Sequence, residues 1–296
     1  MPTYHILYNP LAGNGTGLKH SEKLRDILGN DVFMHDITSI ANVADFIAEI
    51  PSDEKIVVSG GDGTVSRFVN AIYGKDFPHE FFYHASGSGN DFARDINLDD
   101  GKLTSLDQYM KGLPSATIKG VDYKFINGIG YGIDGYCCEE GEKQRQKNNK
   151  PINYTLIAIK GLLFFFKRRK ATVTIDGVTK TYKNVWMVPT MHGRFYGGGM
   201  MLCPSQIRNN EDGSVSVGIV HSPSKFIILA VFPSIFTGKH VKYKKIIEIF
   251  KGHEITVSFD RPTALQIDGE TVTNVLSYTV KSNNILNREK EAEAII

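Results

Sequence analysis

An α/β domain followed by an antiparallel β-sandwich is the fold this sequence predicts. Three observations predict it. Up to about residue 117, short β-branched or aromatic runs alternate with stretches whose apolar residues repeat at helical spacing. From about residue 118, short alternating segments dominate, separated or ended by Asp-Gly turns. Glycine-rich loops follow three of the runs in the first part. A chain of 296 residues exceeds the usual size of a single core. The expected organisation is 1–117 and 118–280, with a charged tail, 281–296, that could return to the first domain.

In the first part, HILY (5–8) reads as a strand, NPLAGNGTG (9–17) as a loop, and Leu24, Ile27 and Leu28 as the face of a helix. VFMHD (32–36) is again strand, and Ile40, Val43, Ala44 and Ile47 mark a second helical face. KIVVS (55–59) leads into GGDGT, and Val65, Phe68, Val69 and Ile72 form the next stripe, on a helix expected to start near Thr64. FFYH (81–84) leads into ASGSGND (85–91) and a helix opened by NDFARDI. Such alternation implies a parallel sheet covered on both faces. In the second part, ATVTIDG, KTYKNVWMV, GSVSVGIV, EITVSF, TALQIDGETV and NVLSYTV read as strands. Two helical inserts are expected, near 151–167 and 224–232.

Composition removes several classes. The 34 Lys and Arg against 32 Asp and Glu give a net charge of +2, without the electrostatic footprint of a nucleic-acid binder. Cys137, Cys138 and Cys203 form neither a metal-spaced set nor a disulfide framework, which fits a reducing cytoplasm. MPTYHILYNP lacks a basic segment followed by an apolar one, so no signal peptide is expected. The most apolar run, LIAIKGLLFFFKRRK, is interrupted by Lys160 and stops at Phe166, short of a membrane span.

The order strand, glycine turn, helix around GGDGT is that of an anion site. Gly60, Gly61 and Gly63 allow positive φ and close backbone approach, and the N–H groups of the following helix point into the turn. Asp62 beside a phosphate implies either a cation between the two or a structural bond that holds the loop. An ordinary turn with an aspartate N-cap remains open. Three glycine loops after parallel strands would gather at the carboxyl edge of one sheet, where open α/β folds bind ligands. No G-x-x-x-x-G-K-[ST] sequence occurs. GYGIDG (130–135) matches G-x-G-x-x-G, but no clear βαβ unit surrounds it.

NPLAG (9–13), GGDGT (60–64), GSGNDFAR (87–94), YGGGM (196–200), the Asp212-Gly213 turn and DGE (268–270) together resemble the diacylglycerol kinase catalytic family. This family includes bacterial diacylglycerol kinase-like and sphingosine kinase-like lipid kinases. GGDGT alone also resembles NAD kinases and phosphofructokinases, but the GSTAY-like segment of NAD kinases is absent. The resemblance implies an NAD kinase/phosphofructokinase-like nucleotide domain and a sandwich domain that form a cleft. It implies ATP contacts from Asn9, Pro10, Leu11, Ala12, Gly13, Thr38, Gly60, Gly61, Asp62, Gly63, Thr64, Val65, Ser66 and Ser88, with Asn90 and Glu270 in the same set. Serine at 88 stands where the family often has threonine, and keeps the hydroxyl. It also implies that Asp268 accepts the proton of a lipid hydroxyl, and that Asp62 and Asp91 organise Mg²⁺. Some members hold a structural Mg²⁺ at a turn matching Asn209, Asp212 and Ser214.

The expected substrate is diacylglycerol or a related lipid alcohol. A soluble acceptor such as NAD, and a non-catalytic nucleotide- or lipid-binding regulator, are the alternatives. An Asp268-Gly269 turn is also what a plain hairpin would show. Phe164, Phe165, Phe166, Phe195 and Tyr196 could line a lipid slot or form core. KRRK (167–170) could meet an anionic membrane or end a helix. Lys239, Lys242, Lys244 and Lys245 carry the same ambiguity. The expected setting is the cytoplasm, peripheral to the inner membrane face, and an exposed sandwich strand could pair two copies across a two-fold axis.

Overall fold

A computed structural model describes residues 2–99, 101–147 and 152–282, and the chain divides into two compact units, Met1–Lys111 and Gly112–Ile296. The expected tail lies outside the described residues from position 283 onward. In the first unit, strands β1 (Tyr4–Tyr8), β2 (Val32–Asp36), β3 (Lys55–Gly60), β4 (Phe81–Ala85) and β5 (Leu103–Ser105) form one sheet in the order β2-β1-β3-β4-β5. The first four are parallel. β5 is antiparallel to β4, so the edge departs from the all-parallel sheet that the alternation predicts. β3 is central, and Ile56, Val57 and Val58 are fully buried, as a strand covered on both faces requires.

Between the strands lie a distorted turn α1 (Ala12–Gly15), then α2 (Gly17–Leu28), α3 (Val43–Ala48), α4 (Asp62–Ile72), α5 (Asp91–Asp95) and α6 (Asp107–Met110). Asn42 starts α3 by accepting from the N–H groups of Ala44 and Asp45 at 3.1 and 3.4 Å. The buried face of α4 includes Val65, Phe68, Val69 and Ile72, the predicted stripe. The helix starts two residues earlier than expected, at Asp62.

The second unit begins with β6 (Ser115–Ile118), β7 (Val121–Lys124) and β8 (Gly128–Tyr131), then α7 (Ile133–Lys147) and α8 (Tyr154–Lys160). α8 runs into a single π turn, Gly161–Phe165. There follow β9 (Arg169–Ile175), β10 (Val178–Met187), β11 (Thr190–Met191), β12 (Phe195–Tyr196), β13 (Met200–Met201) and β14 (Val215–His221). Helix α9 (Lys225–Val231), β15 (Ile247–Gly252), β16 (Glu254–Ile267) and β17 (Glu270–Lys281) complete it.

β16 organises this unit. β17 pairs along the length of one edge. On the other edge β9 takes the first half and β8 the second, with Val257 beside Val173 and Leu265 beside Tyr131. The path β8-β11-β14-β10-β9 therefore closes on β16 from both ends. Val173, Tyr131, Val217, Ile219, Val257 and Leu265 pack in one core. Two hairpins use Asp-Gly: Asp176 and Gly177 have φ of 47° and 83°, and Asp268 and Gly269 have 46° and 93°. Positive φ at both central positions suits a tight hairpin turn.

Helix α7 was not among the two expected inserts. Its apolar residues cluster in the first turns, and EEGEKQRQK supplies no stripe to read. The aromatic residues proposed for a lipid slot do not share one. Phe166 and Tyr196 are buried core residues, Phe195 is buried, and Phe164 and Phe165 stand in solvent at 74% and 62% exposure.

Candidate active site

Four strand ends reach one edge of the first sheet. The register sets Tyr8 beside both Asp36 and Ser59, and Gly60 beside Ala85. The loops carrying residues 9–13, Thr38, 60–66 and 86–91 therefore start at the same level. Side chains tie them together. Asn9 donates from Nδ2 to the Thr64 hydroxyl at 2.9 Å, and its Oδ1 accepts from the Leu11 N–H at 3.0 Å. Thr38 directs both its N–H and its hydroxyl to Asp36, at 2.9 and 2.6 Å. Asn90, in the left-handed region, closes its own turn by accepting from the Gly87 N–H at 3.0 Å and donating to the Gly87 carbonyl at 2.9 Å. Ser88 stays exposed at the tip of that turn.

Glycine is required where the loops touch. A Cβ on Gly87 would lie 2.3 Å from the Gly61 Cα, and one on Gly13 would lie 2.7 Å from the Ser86 carbonyl oxygen. Asp62 fixes the same arrangement. Its two carboxylate oxygens accept from the N–H groups of Asp91 and Phe92 at 3.0 and 2.8 Å. The structural bond left open by the sequence is thus present, joining the first turn of α4 to that of α5. Asp91, with its side chain 5% exposed, pairs with Arg94 at 2.9 Å.

Spacing did not reveal the polar layer beneath these loops. Ser21 donates to Ser59 at 2.8 Å, and Ser59 also contacts His84 Nδ1 at 2.8 Å and Ser86 at 3.3 Å. Burial, with His20 nearby, pushes His84 down to about 4, so the ring is neutral near pH 7. The result is a rigid rim of backbone around the N-terminus of α4, suited to an anion with several oxygens.

In the second unit Asp268 is 6% exposed. The glycine turn does not present this carboxylate to solvent. Instead it is wrapped by backbone: the Ile126 N–H donates to Oδ2 at 2.7 Å, and the Asn127 and Gly128 N–H groups to Oδ1 at 2.8 and 3.0 Å. Asp268 is therefore both a hairpin residue and the anchor of residues 126–128. Glu270 opens β17 and is half-buried.

The Asn209, Asp212 and Ser214 turn closes on itself. Asp212 accepts from the Ser214 N–H at 2.9 Å, and that bond lowers its pKa. The Ser214 carbonyl, needed as a cation ligand, already accepts from Asn210 and Gln206 at 2.9 and 3.1 Å. Among the described residues no three His, Cys, Asp or Glu side chains gather as a metal site. The turn offers one carboxylate, that of Asp212, beside backbone carbonyls.

GYGIDG is a packing motif. It does form a strand–turn–helix, from β8 to α7, but each glycine abuts protein. A Cβ on Gly130 would lie 2.3 Å from Asp134 Oδ2, on Gly132 2.4 Å from the Trp186 carbonyl oxygen, and on Gly135 2.1 Å from the Ala264 carbonyl oxygen. No pyrophosphate could approach these glycines.

Asp134 itself is buried. It accepts from the Tyr196 hydroxyl of YGGGM at 3.0 Å, while its Oδ1 has no hydrogen-bond partner among the described residues. Burial pushes it from 3.8 up to about 6, against the pull of the hydrogen bonds. The native state thus holds this proton more tightly than the unfolded chain. Stability from the group is complete below about pH 3.8 and is lost as pH rises through about 6. Asp134→Asn is expected to add up to about 3 kcal/mol near neutral pH and almost nothing at about pH 4, since each tenfold difference in proton affinity is worth ~1.4 kcal/mol. Urea unfolding midpoints at the two pH values measure this.

Comparison with known proteins agrees with this architecture. Residues 3–120 match the diacylglycerol kinase catalytic domain, and residues 127–283 match the YegS C-terminal NAD kinase beta sandwich-like domain. A diacylglycerol kinase of Mycobacterium tuberculosis is 25% identical over 259 residues, covering 81% of this chain and 80% of that protein. A crystal structure of a diacylglycerol kinase from Bacillus anthracis superposes with a TM-score of 0.65 at 18% identity, covering 95% of this chain and 94% of that one. With both domain types present in order, the chain belongs to the diacylglycerol kinase catalytic-domain family of lipid kinases.

Proposed function

We propose that this protein transfers the terminal phosphoryl group of ATP, bound with Mg²⁺, to the hydroxyl of diacylglycerol or a related lipid alcohol. The observation that carries this reading is the glycine-to-glycine packing of the loops around the start of α4. It supports a cradle of backbone N–H groups that only glycine allows. The residues fit a nucleotide phosphate chain: Gly13, Gly61 and Gly87 keep side chains out of the rim, while Asn9, Thr64 and Asn90 hold its shape. Bound metal would neutralise charge developing on the transferred group. Asp62 and Asp91 are the carboxylates beside that rim, and we assign them to its hydration shell. Asp268 is assigned to accept the hydroxyl proton. Its three backbone donors fix where the acceptor sits, and a loose phosphoryl-transfer transition state asks for alignment more than for a strong base.

Labelled ATP, Mg²⁺ and a panel of lipid alcohols in mixed micelles test this. Label is expected in the chloroform-extractable fraction, from diacylglycerol first. Label in NADP from added NAD, with none in any lipid, would overturn the lipid reading.

A further inference from the structure

A second site lies in the second unit, built from elements outside the Asp268 hairpin. A cavity of about 770 Å³ opens between the π turn, the start of β9, β10 near Asn184 and the start of α9. Its floor is apolar, with Leu162, Phe166 and Trp186 each under one-tenth exposed. Its walls carry six cations: Lys167, Arg168, Arg169, Lys170, Lys183 and Lys225. Among the described residues no carboxylate lines it. Among the same residues, Lys167, Lys170 and Lys183 form no salt bridge.

The cavity is shaped. Asn184 adopts a φ of 57°, and the register of β10 against β9 slips between Tyr182 and Val185. That bulge re-aims the local side chains. Arg168 reaches across to the Pro223 carbonyl, and Arg169 lies 4.8 Å over the Phe166 ring while donating to Thr263 at 2.8 Å. Helix-end capping does not account for the cluster. Lys225 already donates to the Leu163 carbonyl at 2.7 Å, within the π turn. Residues 167–170 lie beyond the helical segment, and Arg169 and Lys170 already belong to β9. So many cations around an apolar floor repel one another unless an anion sits among them.

The rim says what kind of anion. Phe164 from the π turn and Phe226 from α9 line it and are 74% and 68% exposed, and Phe165, whose ring lies against that of Phe164, is 62% exposed. Aromatic rings standing out beside a basic pocket match a membrane interface: rings enter the acyl boundary while cations meet phosphates. The site is separate from the proposed catalytic carboxylate. Thr263, held by Arg169, lies on β16 five residues before Asp268 in the following turn, up to about 16 Å along the chain at ~3.3 Å per residue.

We infer that this pocket docks the protein on the bilayer by taking the phosphate headgroup of an anionic phospholipid, with Phe164, Phe165 and Phe226 sunk beside it. The inference rests on the lipid-kinase reading only for its purpose, which is to hold the enzyme where its substrate resides. The chemistry of the pocket stands without it.

The test is co-sedimentation of the full chain with vesicles of phosphatidylcholine alone, and of phosphatidylcholine containing phosphatidylglycerol. Binding is expected only to the anionic vesicles and to weaken with salt. Lys170→Gln with Lys183→Gln should lower the partition coefficient about 30-fold, or ~2 kcal/mol at ~1 kcal/mol per charge. Phe164→Ser with Phe226→Ser should also release the protein, at unchanged surface charge. Thermal melts matching wild type show that the variants fold. Equal binding to both vesicle types, no binding to either, or variants that bind as wild type would overturn the inference. Saturation by soluble glycerol phosphate without vesicle binding would overturn it too, in favour of a free-anion site. Activity in detergent micelles separates this from the kinase reading. The lysine variants should keep it, and vesicle binding by a chain that phosphorylates no lipid would leave the docking site standing alone.

Discussion

Asp268→Asn is expected to reduce kcat in the micelle assay by about 10²–10⁴-fold, the range a positioned proton acceptor supplies. Its effect on stability should be much smaller than that of Asp268→Ala. In the native hairpin Oδ1 accepts from the N–H groups of Asn127 and Gly128, and Oδ2 from that of Ile126. Asparagine can keep its oxygen toward the first two and lose the bond from Ile126. It also tolerates the left-handed backbone, φ 46°, that this position adopts. One unsatisfied buried N–H costs about 1–3 kcal/mol. Alanine leaves all three without an acceptor and should cost several times more. Urea unfolding beside initial rates decides between roles. If Asp268 merely holds residues 126–128, activity will follow stability, and asparagine will retain more than about a tenth of the wild-type rate. If it accepts the proton, both variants will be inactive although only one is severely unstable.

The second large effect concerns Gly87→Ala. The new Cβ would meet Gly61 Cα at 2.3 Å, Asn90 Oδ1 at 2.8 Å and Gly61 N at 3.1 Å. Two of these three atoms are backbone, so the loops must part. Parting them pulls Asp62 from the amides of Asp91 and Phe92 and opens the rim. A destabilisation of about 1–3 kcal/mol is expected from overpacking. Affinity for MgATP should fall at least ~100-fold, by analogy with the loss of several charge-assisted bonds. Gly218→Ala is the matched control, because its three nearest atoms, from 3.3 Å outward, are side-chain carbons of Leu202 and Pro189. Equilibrium nucleotide titration reads both. Wild-type affinity in Gly87→Ala would show that the nucleotide does not use this rim.

Much of the architecture was legible because its causes are local. The stripe Val65, Phe68, Val69 and Ile72 and the run Ile56 to Val58 are buried as their spacing requires. The Asp-Gly pairs at 176–177 and 268–269 make the turns that their chemistry favours. What could not be read depends on partners distant in sequence. The donors that bury Asp268 lie about 140 residues before it. Nothing in the sequence around DGE reports them. The structural role of Asp62 could not be read because its amide partners, about 30 residues on, are backbone and leave no mark in residue identity. Asp134 and Tyr196 each sat in a noted motif, yet only the fold joins them. The aromatic set divides: Phe164 and Phe166 line the cavity beside the π turn, while Phe195 and Tyr196 are buried outside it.

The role of β16 has a consequence for how the chain is made. Among the described residues, each strand neighbour in the first unit is supplied within the first 105 positions. That unit can complete itself while the rest is still emerging from the ribosome. The second unit cannot. β6, β8 and β9 all wait for β16 or β17, and the pairing of Ile118 with Tyr278 spans 160 positions. Until residue 281 is available, several strands expose unsatisfied edges. Ribosome stalling or premature termination in the last fifth of the message should therefore yield a finished first unit tethered to an aggregation-prone remnant. The quality-control burden of this protein falls on its final strands.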